Sequence, residues 1–452
     1  MLGDGAGLAT FYARGDTLAY HFLFLPACRL VAPLAGILPG GDAADPIEAT
    51  RVLSAVAAGV GAGATWLLTR ELGAGALAGL LATLLVALSP AAAFFGTTVE
   101  VHALHYGVVA LAAWLTLRLP WRVPAVALPL AAGLFGLAFW AHQLALLLGP
   151  GWILLCQLGR ERVARPFAAR TLLLVAGPAL LLGALAASAL ASYVRYGSPL
   201  PSAGEEADIL RDFARPPGAW RFLWDGWLFP LALLVPAAAA GLWRGGGVPR
   251  VRLALGLSCA FPLAFLVSWG VSEYGGYALG HAPFLACLAA LALGSSPRGL
   301  ALGALLVLIQ AGLGIWNVRS FDRGWDVNER VELVREHLGG GVFAATVDNA
   351  PAVAAYFPLT EVYLWEAVAR ASEAGLSEEE IVATLIAQAR QYVEQLGRVV
   401  LDLGFETQHD RGPIAQRLPY FEPLAHALAR ELRTTRIEHP HWPLLIVEPR
   451  LD

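Results

Sequence analysis

The chain has 452 residues, of which 57% are hydrophobic and 15% are charged, and its mean hydropathy is +0.60. A soluble domain carries about 25% charged residues, so most of this chain is expected to lie in a membrane. The formal net charge of -4 gives no reason to expect a nucleic-acid partner. The cysteines, Cys28, Cys156, Cys259 and Cys287, lie in or beside apolar runs without CxxC spacing, which predicts neither a zinc site nor a disulfide framework.

Apolar segments alternate with short polar loops over the first 316 residues. A bilayer core of about 30 Å requires roughly 17 to 25 apolar residues per helix. Ten segments meet or approach this length: 51–69, 76–95, 100–117, 124–140, 143–157, 171–192, 226–243, 253–270, 278–294 and 299–316. The fourth and fifth are divided at the polar Ala141-His142-Gln143 turn. The apolar stretch 17–38 predicts helices in the outer membrane interface, with a re-entrant pair as the alternative.

Arginines occupy every second loop, from Arg70 to Arg298, and predict that these loops are cytoplasmic. The intervening loops, including a long one at 195–225, carry acids and histidines and should face outward. The N-terminus and the region after residue 316 are then also outside. Because the start shows neither a signal peptide nor a span that would carry it across, we expect a further helix upstream, with an unusual start as the alternative.

The composition changes after Trp316 to that of a soluble domain, residues 317–452. Candidate strands at 342–347, 361–365, 398–403 and 443–448 alternate with helical patterns at 325–338 and 377–396. This alternation predicts a small sheet covered by helices. The Gly339-Gly340-Gly341 run precedes a strand and indicates a helix stop.

Residues 97–107 read TTVEVHALHYG and begin an apolar segment with polar groups. Thr97 and Glu100 fit a capping box, which is one explanation for the carboxylate; a functional role is the other. His102 and His105 share a helix face, but two histidines are two ligands short of a zinc site. Histidines of several segments are predicted at the same outer face, namely His21, His102, His105, His142 and His281. Since ionisable groups in membrane proteins usually face the interior, these histidines predict a polar outward cavity, with scattered interfacial histidines as the alternative.

Several stretches resemble the GT-C superfamily of membrane glycosyltransferases, in particular the bacterial proteins related to protein O-mannosyltransferases. They are GDGAGLATFYARGD with YHFLFLP, FFGTTVEVHALHYGVVAL, GLAFWAHQLALLLGPGWILL and TVDNAPAVAAYFP. The resemblance implies a mainly α, polytopic membrane domain (1–316) followed by a small extracytoplasmic α/β domain (317–452). It also implies a multi-pass protein of the bacterial inner membrane.

The resemblance further implies transfer of a sugar from a polyprenyl-phosphate donor to a hydroxyl of a glycan, lipid or protein. The first-loop acid acts as general base, which assigns that role to Asp4. The relatives carry Glu where this chain has Gly7, so Asp16 is a second candidate base. Candidate substrate-binding residues are Glu100, His102, His105, His142, His21, Arg14, Arg51, Glu273 and His281. Participation of a divalent metal stays open.

Two other functions fit the same pattern. A transporter or flippase of a lipid-linked sugar would also need a polar cavity, although the chain shows no internal repeat and no obvious mid-span charge. The altered first-loop motif would suit a non-catalytic binding subunit of the same fold.

Overall fold

The computed structural model describes residues 8, 12, 15, 21–37, 41–42, 44–168, 175–196, 223–244, 248–269, 275–321, 327–346, 361–407, 418–440 and 442–450. The chain divides into two compact units. The larger, called the membrane unit, comprises Gly15–Ala44 and Glu48–Arg323, and the smaller, called the C-terminal unit, consists mainly of Gly324–Asp452. The first is built of apolar helices and the second of a small sheet with helices, which confirms the predicted fold class.

Helices α1 to α13 form the membrane unit. They are α1 (Phe24–Ala35), α2 (Pro46–Glu71), α3 (Ala76–Ala87), α4 (Pro90–Phe95), α5 (His102–Arg118), α6 (Pro124–Ala141), α7 (Gly149–Glu161), α8 (Gly177–Tyr196), α9 (Leu234–Arg244), α10 (Pro249–Trp269), α11 (Gly276–Leu279), α12 (Ala282–Leu293) and α13 (Pro297–Phe321). A 3-10 helix, Gln143–Leu148, precedes α7, and a π-helix, Trp224–Leu228, with the helical turn Phe229–Leu231 precedes α9.

Within the described residues, helices in α2, α6, α10 and α13 are long and apolar enough to cross a membrane. A fifth span results if Trp224–Leu231 and Leu234–Trp243, which meet at a bend of 84°, count as one. Other apolar helices are shorter, and the number of ten spans stays a prediction.

Two predicted spans are interrupted in the structure. In segment 76–95, α3 ends at Ala87 and a second helix, α4, begins at Pro90. The Ser89 side chain caps α4 by accepting a hydrogen bond from the Ala92 N–H (3.2 Å), and Pro90 occupies the first helical position. This is a favourable helix start, because proline needs no backbone donor there. Segment 226–243 is broken at Ala232, whose φ is +41°. The predicted division at residues 141–143 is present, since α6 ends at Ala141.

The basic ends of several helices meet. Arg118 Nε lies 3.4 Å from Glu71 Oε2, and Arg162 pairs with the same carboxylate. Arg250 pairs with Glu161. Exposed ion pairs contribute only about 0–1 kcal/mol each, so their main significance is geometric: the C-terminal ends of α2, α5 and α7 lie at one end of the bundle, as the arginine pattern predicts.

Close helix packing in the membrane unit depends on small residues. A Cβ on Gly107 of α5 would lie 2.5 Å from the carbonyl oxygen of Ala57 in α2, and one on Gly241 of α9 would lie 1.8 Å from the carbonyl oxygen of Leu288 in α12. Glycine therefore allows these backbones to touch, which is how helices gain van der Waals contact in a membrane. The four cysteines are buried and free.

The C-terminal unit contains a five-stranded sheet in the order β2-β1-β3-β5-β4. Its strands are β1 (Val342–Ala345), β2 (Glu361–Tyr363), β3 (Val399–Asp402), β4 (Arg433–Ile437) and β5 (Leu444–Glu448), and its helices are α14 (Val327–Leu338), α15 (Leu364–Glu373), α16 (Glu378–Leu396) and α17 (Leu418–Glu431). β1 pairs in parallel with β2 and β3, whereas β5 is antiparallel to β3 and β4. The four predicted strands are confirmed; β4 was not predicted.

The central strands β1 and β3 are buried at every position, as expected for a sheet with helices on its faces. Gly339 and Gly340 have φ of +53° and +81°, which confirms the predicted helix stop after α14. A capping box begins α16: the Ser377 N–H donates to Glu380 Oε2 (2.8 Å), and this bond lowers the pKa of Glu380. Asp348 and Asn349, which belong to the TVDNAPAVAAYFP stretch, lie outside the described residues.

One ion pair is fully buried in this unit. Arg330 of α14 donates to Asp402 Oδ2 at 2.7 Å, and the two side chains are 1% and 0% exposed. The guanidinium also lies 4.2 Å from the ring centroid of Trp442. Burial lowers the pKa of Arg330, and Asp402 opposes that shift. The Asp402 Oδ1 atom accepts a hydrogen bond from the Gly404 N–H at 2.9 Å.

Candidate functional site

Four of the predicted histidines contact one another in the membrane unit. The ring centroid of His142 lies 5.0 Å from those of His21 and His105 and 5.7 Å from that of His102. These residues, named here the histidine cluster, come from the segment before α1, from the first turn of α5 and from the residue after α6. Since α5 has 17 residues and ends at Arg118, the cluster is about 25 Å along this helix from the basic end.

The fifth histidine, His281, is brought beside the cluster by α11. A Cβ on Gly276 would lie 2.3 Å from Cδ2 of His102, and one on Gly280 would lie 2.2 Å from Cε1 of His105. The two glycines thus let the short helix pack directly on the imidazole rings. His281 follows Gly280 in the chain, and its Nε2 atom accepts a hydrogen bond of 2.6 Å from the Trp227 indole.

The hydrogen bonds fix the protons on two of the neutral rings. His142 Nδ1 accepts from the Leu144 N–H (3.2 Å), so its proton is on Nε2. His281 Nε2 accepts from Trp227, so its proton is on Nδ1. Within the described part of the chain, His281 Nδ1 and both ring nitrogens of His105 are buried without a hydrogen-bond partner. A buried polar group left unsatisfied costs about 1–3 kcal/mol, which favours a ligand that accepts these protons.

Aromatic side chains surround the cluster. The Phe95 ring centroid lies 4.9 Å from that of His102, and the Tyr277 centroid lies 5.0 Å from His102 and 5.6 Å from His142. Sequence reasoning missed Phe95, Tyr277 and the role of Trp227. In the sequence, a single aromatic residue in an apolar segment looks the same whether it lines a site or only packs in the core.

The remaining predicted site residues are not in the cluster or cannot be placed. Glu100 is buried, and its carbonyl oxygen accepts a hydrogen bond from Ser54 Oγ at 3.3 Å. Arg51 is exposed on α2 and pairs with Glu48 at 2.8 Å, one turn earlier. Asp4, Arg14, Asp16 and Glu273 lie outside the described residues.

The capping-box explanation for Glu100 is wrong. Helix α5 begins at His102, and its N-cap residue, Val101, has no side-chain cap. The Thr97 hydroxyl donates backwards to the carbonyl oxygens of Ala93 and Phe94, at the end of α4. The break between α4 and α5 therefore lies inside the sequence motif that resembled a helix start.

The described residues of the site do not form a metal-ligand set. No group of three or more His, Cys, Asp or Glu side chains that could hold a metal ion occurs among the residues that the structure describes. The arrangement of the cluster instead offers imidazole N–H donors in a buried setting. Such donors suit an anionic ligand with several acceptor oxygens, such as a phosphate.

An apolar groove runs between α6 and α8 and ends beside the histidine cluster. Its volume is about 680 Å³, and its lining extends from Pro124 to Trp140 on α6 and from Val175 to Ala186 at α8. Trp140 accepts a backbone hydrogen bond from Leu23 (3.3 Å), and the neighbouring Ala141 carbonyl oxygen lies 3.2 Å from His21 Nδ1. Along α6 the groove is about 25 Å long, close to the thickness of a bilayer core.

A second cavity, of about 610 Å³, lies in the C-terminal unit. Its floor is apolar, and Glu406, Glu422, His426 and Arg436 line it. Arg436 donates to both oxygens of Glu406, at 3.1 and 2.5 Å, and these hydrogen bonds raise the pKa of Arg436. This cavity was not predicted.

No protein-family model and no curated protein matches the chain. Solved structures do. The crystal structure of ArnT from Cupriavidus metallidurans bound to undecaprenyl phosphate has a TM-score of 0.57 at 13% identity, over 98% of this chain and 92% of ArnT. The apo structure of the same ArnT has a TM-score of 0.61 at the same identity and coverage. At this identity the likeness shows the fold alone, and it does not test the O-mannosyltransferase-related type.

Proposed function

We propose that the chain is an integral membrane glycosyltransferase that transfers a sugar from a polyprenyl phosphate to an acceptor hydroxyl at the histidine end of the membrane unit. The observation that carries this proposal is the pair of buried imidazoles, His105 and His281, with unsatisfied nitrogens. Imidazole N–H groups of this kind would donate to the phosphate oxygens of the donor and stabilise the negative charge that develops as it leaves. An ArnT of the same fold binds undecaprenyl phosphate, which supports the choice of lipid.

The proposed reaction balances without a further reactant. The acceptor oxygen forms a bond to the anomeric carbon of the sugar, and the bond from that carbon to the phosphate oxygen breaks with its electron pair on the departing polyprenyl phosphate. The hydroxyl proton passes to a carboxylate, for which Asp4 and Asp16 are the candidates. We assign the site to the outer face of a bacterial plasma membrane. We further propose that the C-terminal unit is extracytoplasmic and binds the acceptor or a partner.

The groove between α6 and α8 supports the lipid part of the proposal. The described residues that line it include no charged side chain, and on α6 the lining ends at Trp140, two residues before His142. A polyprenyl chain seated there would bury its methyl-branched tail against apolar side chains, while the phosphate would reach the histidine cluster. Because lipid tails are as apolar as this lining, the gain would come from van der Waals contact with the groove and not from removal of apolar surface from water.

The first experiment measures transfer of labelled sugar in vesicles that contain the protein, from a panel of polyprenyl-phosphate sugars that includes mannose. Wild-type protein, Asp4→Asn and Asp16→Asn are compared. We expect the wild type to transfer sugar and one of the two variants to lose activity by at least about 10²-fold, because general base catalysis contributes roughly 10²–10⁴-fold.

The outcomes separate the candidate functions. Transfer that both variants retain would exclude the first-loop bases. Binding of the donor without its consumption would indicate a non-catalytic subunit, and movement of the intact donor across the vesicle membrane would indicate a flippase.

The groove is tested by filling it. A Cβ on Gly133 meets no atom within 4 Å, as is also true of Gly63 on α2, but only Gly133 lines the groove. Both Gly133→Phe and Gly63→Phe are thus expected to fold, and both lose the same helix-destabilising glycine. We expect Gly133→Phe to raise KM for a long-chain donor about tenfold or more and to affect a donor with a short prenyl chain much less. Equal KM values for the two variants would exclude the groove as the lipid site.

A further inference from the structure

Gln310 is a fully buried amide near the middle of α13, a candidate membrane span. Its side chain makes three hydrogen bonds of 3.0 Å: Oε1 accepts from the Leu233 N–H, and Nε2 donates to the carbonyl oxygens of Leu85 and Leu231. All three partners are backbone groups. In a membrane such groups have no water to bond and must be satisfied by the protein.

Two of these groups, the Leu85 and Leu231 carbonyls, lose their usual helical donor because the helix is broken after them. In a continuous helix the Leu85 carbonyl would accept from Ser89 N–H and the Leu231 carbonyl from Val235 N–H. Here Ser89 N–H donates to Val86 (3.0 Å) and Val235 N–H donates to Ala232 (3.2 Å). The amide of Gln310 therefore closes the hydrogen bonding of two broken helices at once.

The second break determines the direction of the segment that carries Trp227. The bend of 84° at residues 232 and 233 separates Trp224–Leu231 from α9, and Ala232 holds a backbone conformation, φ +41°, that side chains rarely adopt. Such a conformation persists only when surrounding contacts fix it. Within the broken segment, Trp227 lies one turn before Leu231, and its indole N–H reaches His281 Nε2 at 2.6 Å.

We infer that Gln310 is a positioning residue: by fixing the break at Ala232 it holds the Trp227 indole on His281 and so keeps the His281 proton on Nδ1, where a phosphate would need it. The bonds of Gln310 at the break and the bond from Trp227 to His281 are observed geometry. The consequence for donor binding rests on the proposed function.

The test uses the full chain in lipid nanodiscs, labelled with ¹⁵N in the tryptophan indoles. The Trp227 indole resonance is identified by its disappearance in Trp227→Phe. We expect Gln310→Leu to shift or broaden this resonance and to raise hydrogen exchange of the 231–235 segment, because the Leu233 N–H loses its acceptor. Donor binding should weaken by about 3- to 10-fold, the range expected for one hydrogen bond.

A matched control is Gln157→Leu. Gln157 is also a buried glutamine, toward the basic end, and its hydrogen bonds to the described residues go to backbone: Nε2 donates to the Phe167 carbonyl (3.0 Å) and Oε1 accepts from the Phe167 N–H (3.2 Å). The Gln157→Leu variant should leave the Trp227 resonance unchanged. If Gln310→Leu fails to fold, Gln310→Glu keeps an acceptor for Leu233 while removing at least one donor and should still move the resonance. An unchanged Trp227 resonance in a folded Gln310 variant overturns the inference, whereas a shifted resonance with unchanged donor binding contradicts only the proposed phosphate site.

Discussion

Replacing His105 by phenylalanine is expected to lower sugar transfer by about 10²- to 10³-fold, the loss that removal of one donor to a developing negative charge typically causes. The ring is 1% exposed and its two nitrogens have no partner among the described residues, so phenylalanine keeps a flat ring beside Gly280, enlarges it by one atom and removes the polar atoms. The rate of transfer from a saturating polyprenyl-phosphate sugar in vesicles measures this loss.

The adjacent residue provides the control for this variant. Tyr106 is equally buried, but its hydroxyl lies 3.2 Å from Thr65 Oγ1, away from the histidine cluster. Tyr106→Phe removes a polar group from the same helical turn and should leave transfer within about twofold of wild type, since a single neutral hydrogen bond contributes about 1 kcal/mol to stability and none to the reaction. Wild-type transfer by His105→Phe would remove His105 from the phosphate site.

Replacing Asp402 by alanine is expected to destabilise the C-terminal unit by about 3–5 kcal/mol, because it leaves the buried Arg330 charge unpaired. The variant also removes the acceptor of the Gly404 N–H. Hydrogen exchange of the β3 amides, followed in the intact protein as urea is raised, reports the free energy of opening of this sheet.

An exposed pair in the same unit calibrates that measurement. Glu406 pairs with Arg436, whose side chain is 43% exposed, and Glu406→Gln should change the opening free energy by less than about 1 kcal/mol. A loss for Asp402→Ala no larger than this control would show that the Arg330 charge finds water or another partner.

The sequence predicts those features of the fold that depend on residue type and on the spacing of apolar and charged residues along the chain. Alternating arginine loops correctly predict which helix ends meet, as Arg118 and Arg162 do at Glu71. Four strands of the C-terminal sheet follow from apolar runs bounded by polar residues. β4, with the sequence RTTRI, escapes this rule because it is largely polar. It is one of the two edge strands, where charged side chains discourage pairing with another chain.

Other features depend on distances between segments, which a single sequence does not contain. His102 and His105 share a face as predicted from their spacing, but their contact with His142 depends on how α5 and α6 pack. The bonds of Gln310 join residues up to 225 positions apart. The Thr97 and Glu100 pair fits a capping box with Thr97 as N-cap, yet the observed N-cap is Val101, four residues later. The Thr97 and Thr98 hydroxyls instead donate to carbonyl oxygens of the preceding helix.

The hydrogen bonds of Gln310 also bear on how the protein is made. The ribosome adds Gln310 about 10–45 s after Leu85, at roughly 5–20 residues per second, because 225 residues separate them. Throughout that interval the carbonyl of Leu85 enters the bilayer without its final partner, and the segment around Ala232 joins it in this state. The two broken helices can therefore reach their native shape only after α13 is inserted. A helix that is made late thus completes the folding of helices that are made earlier.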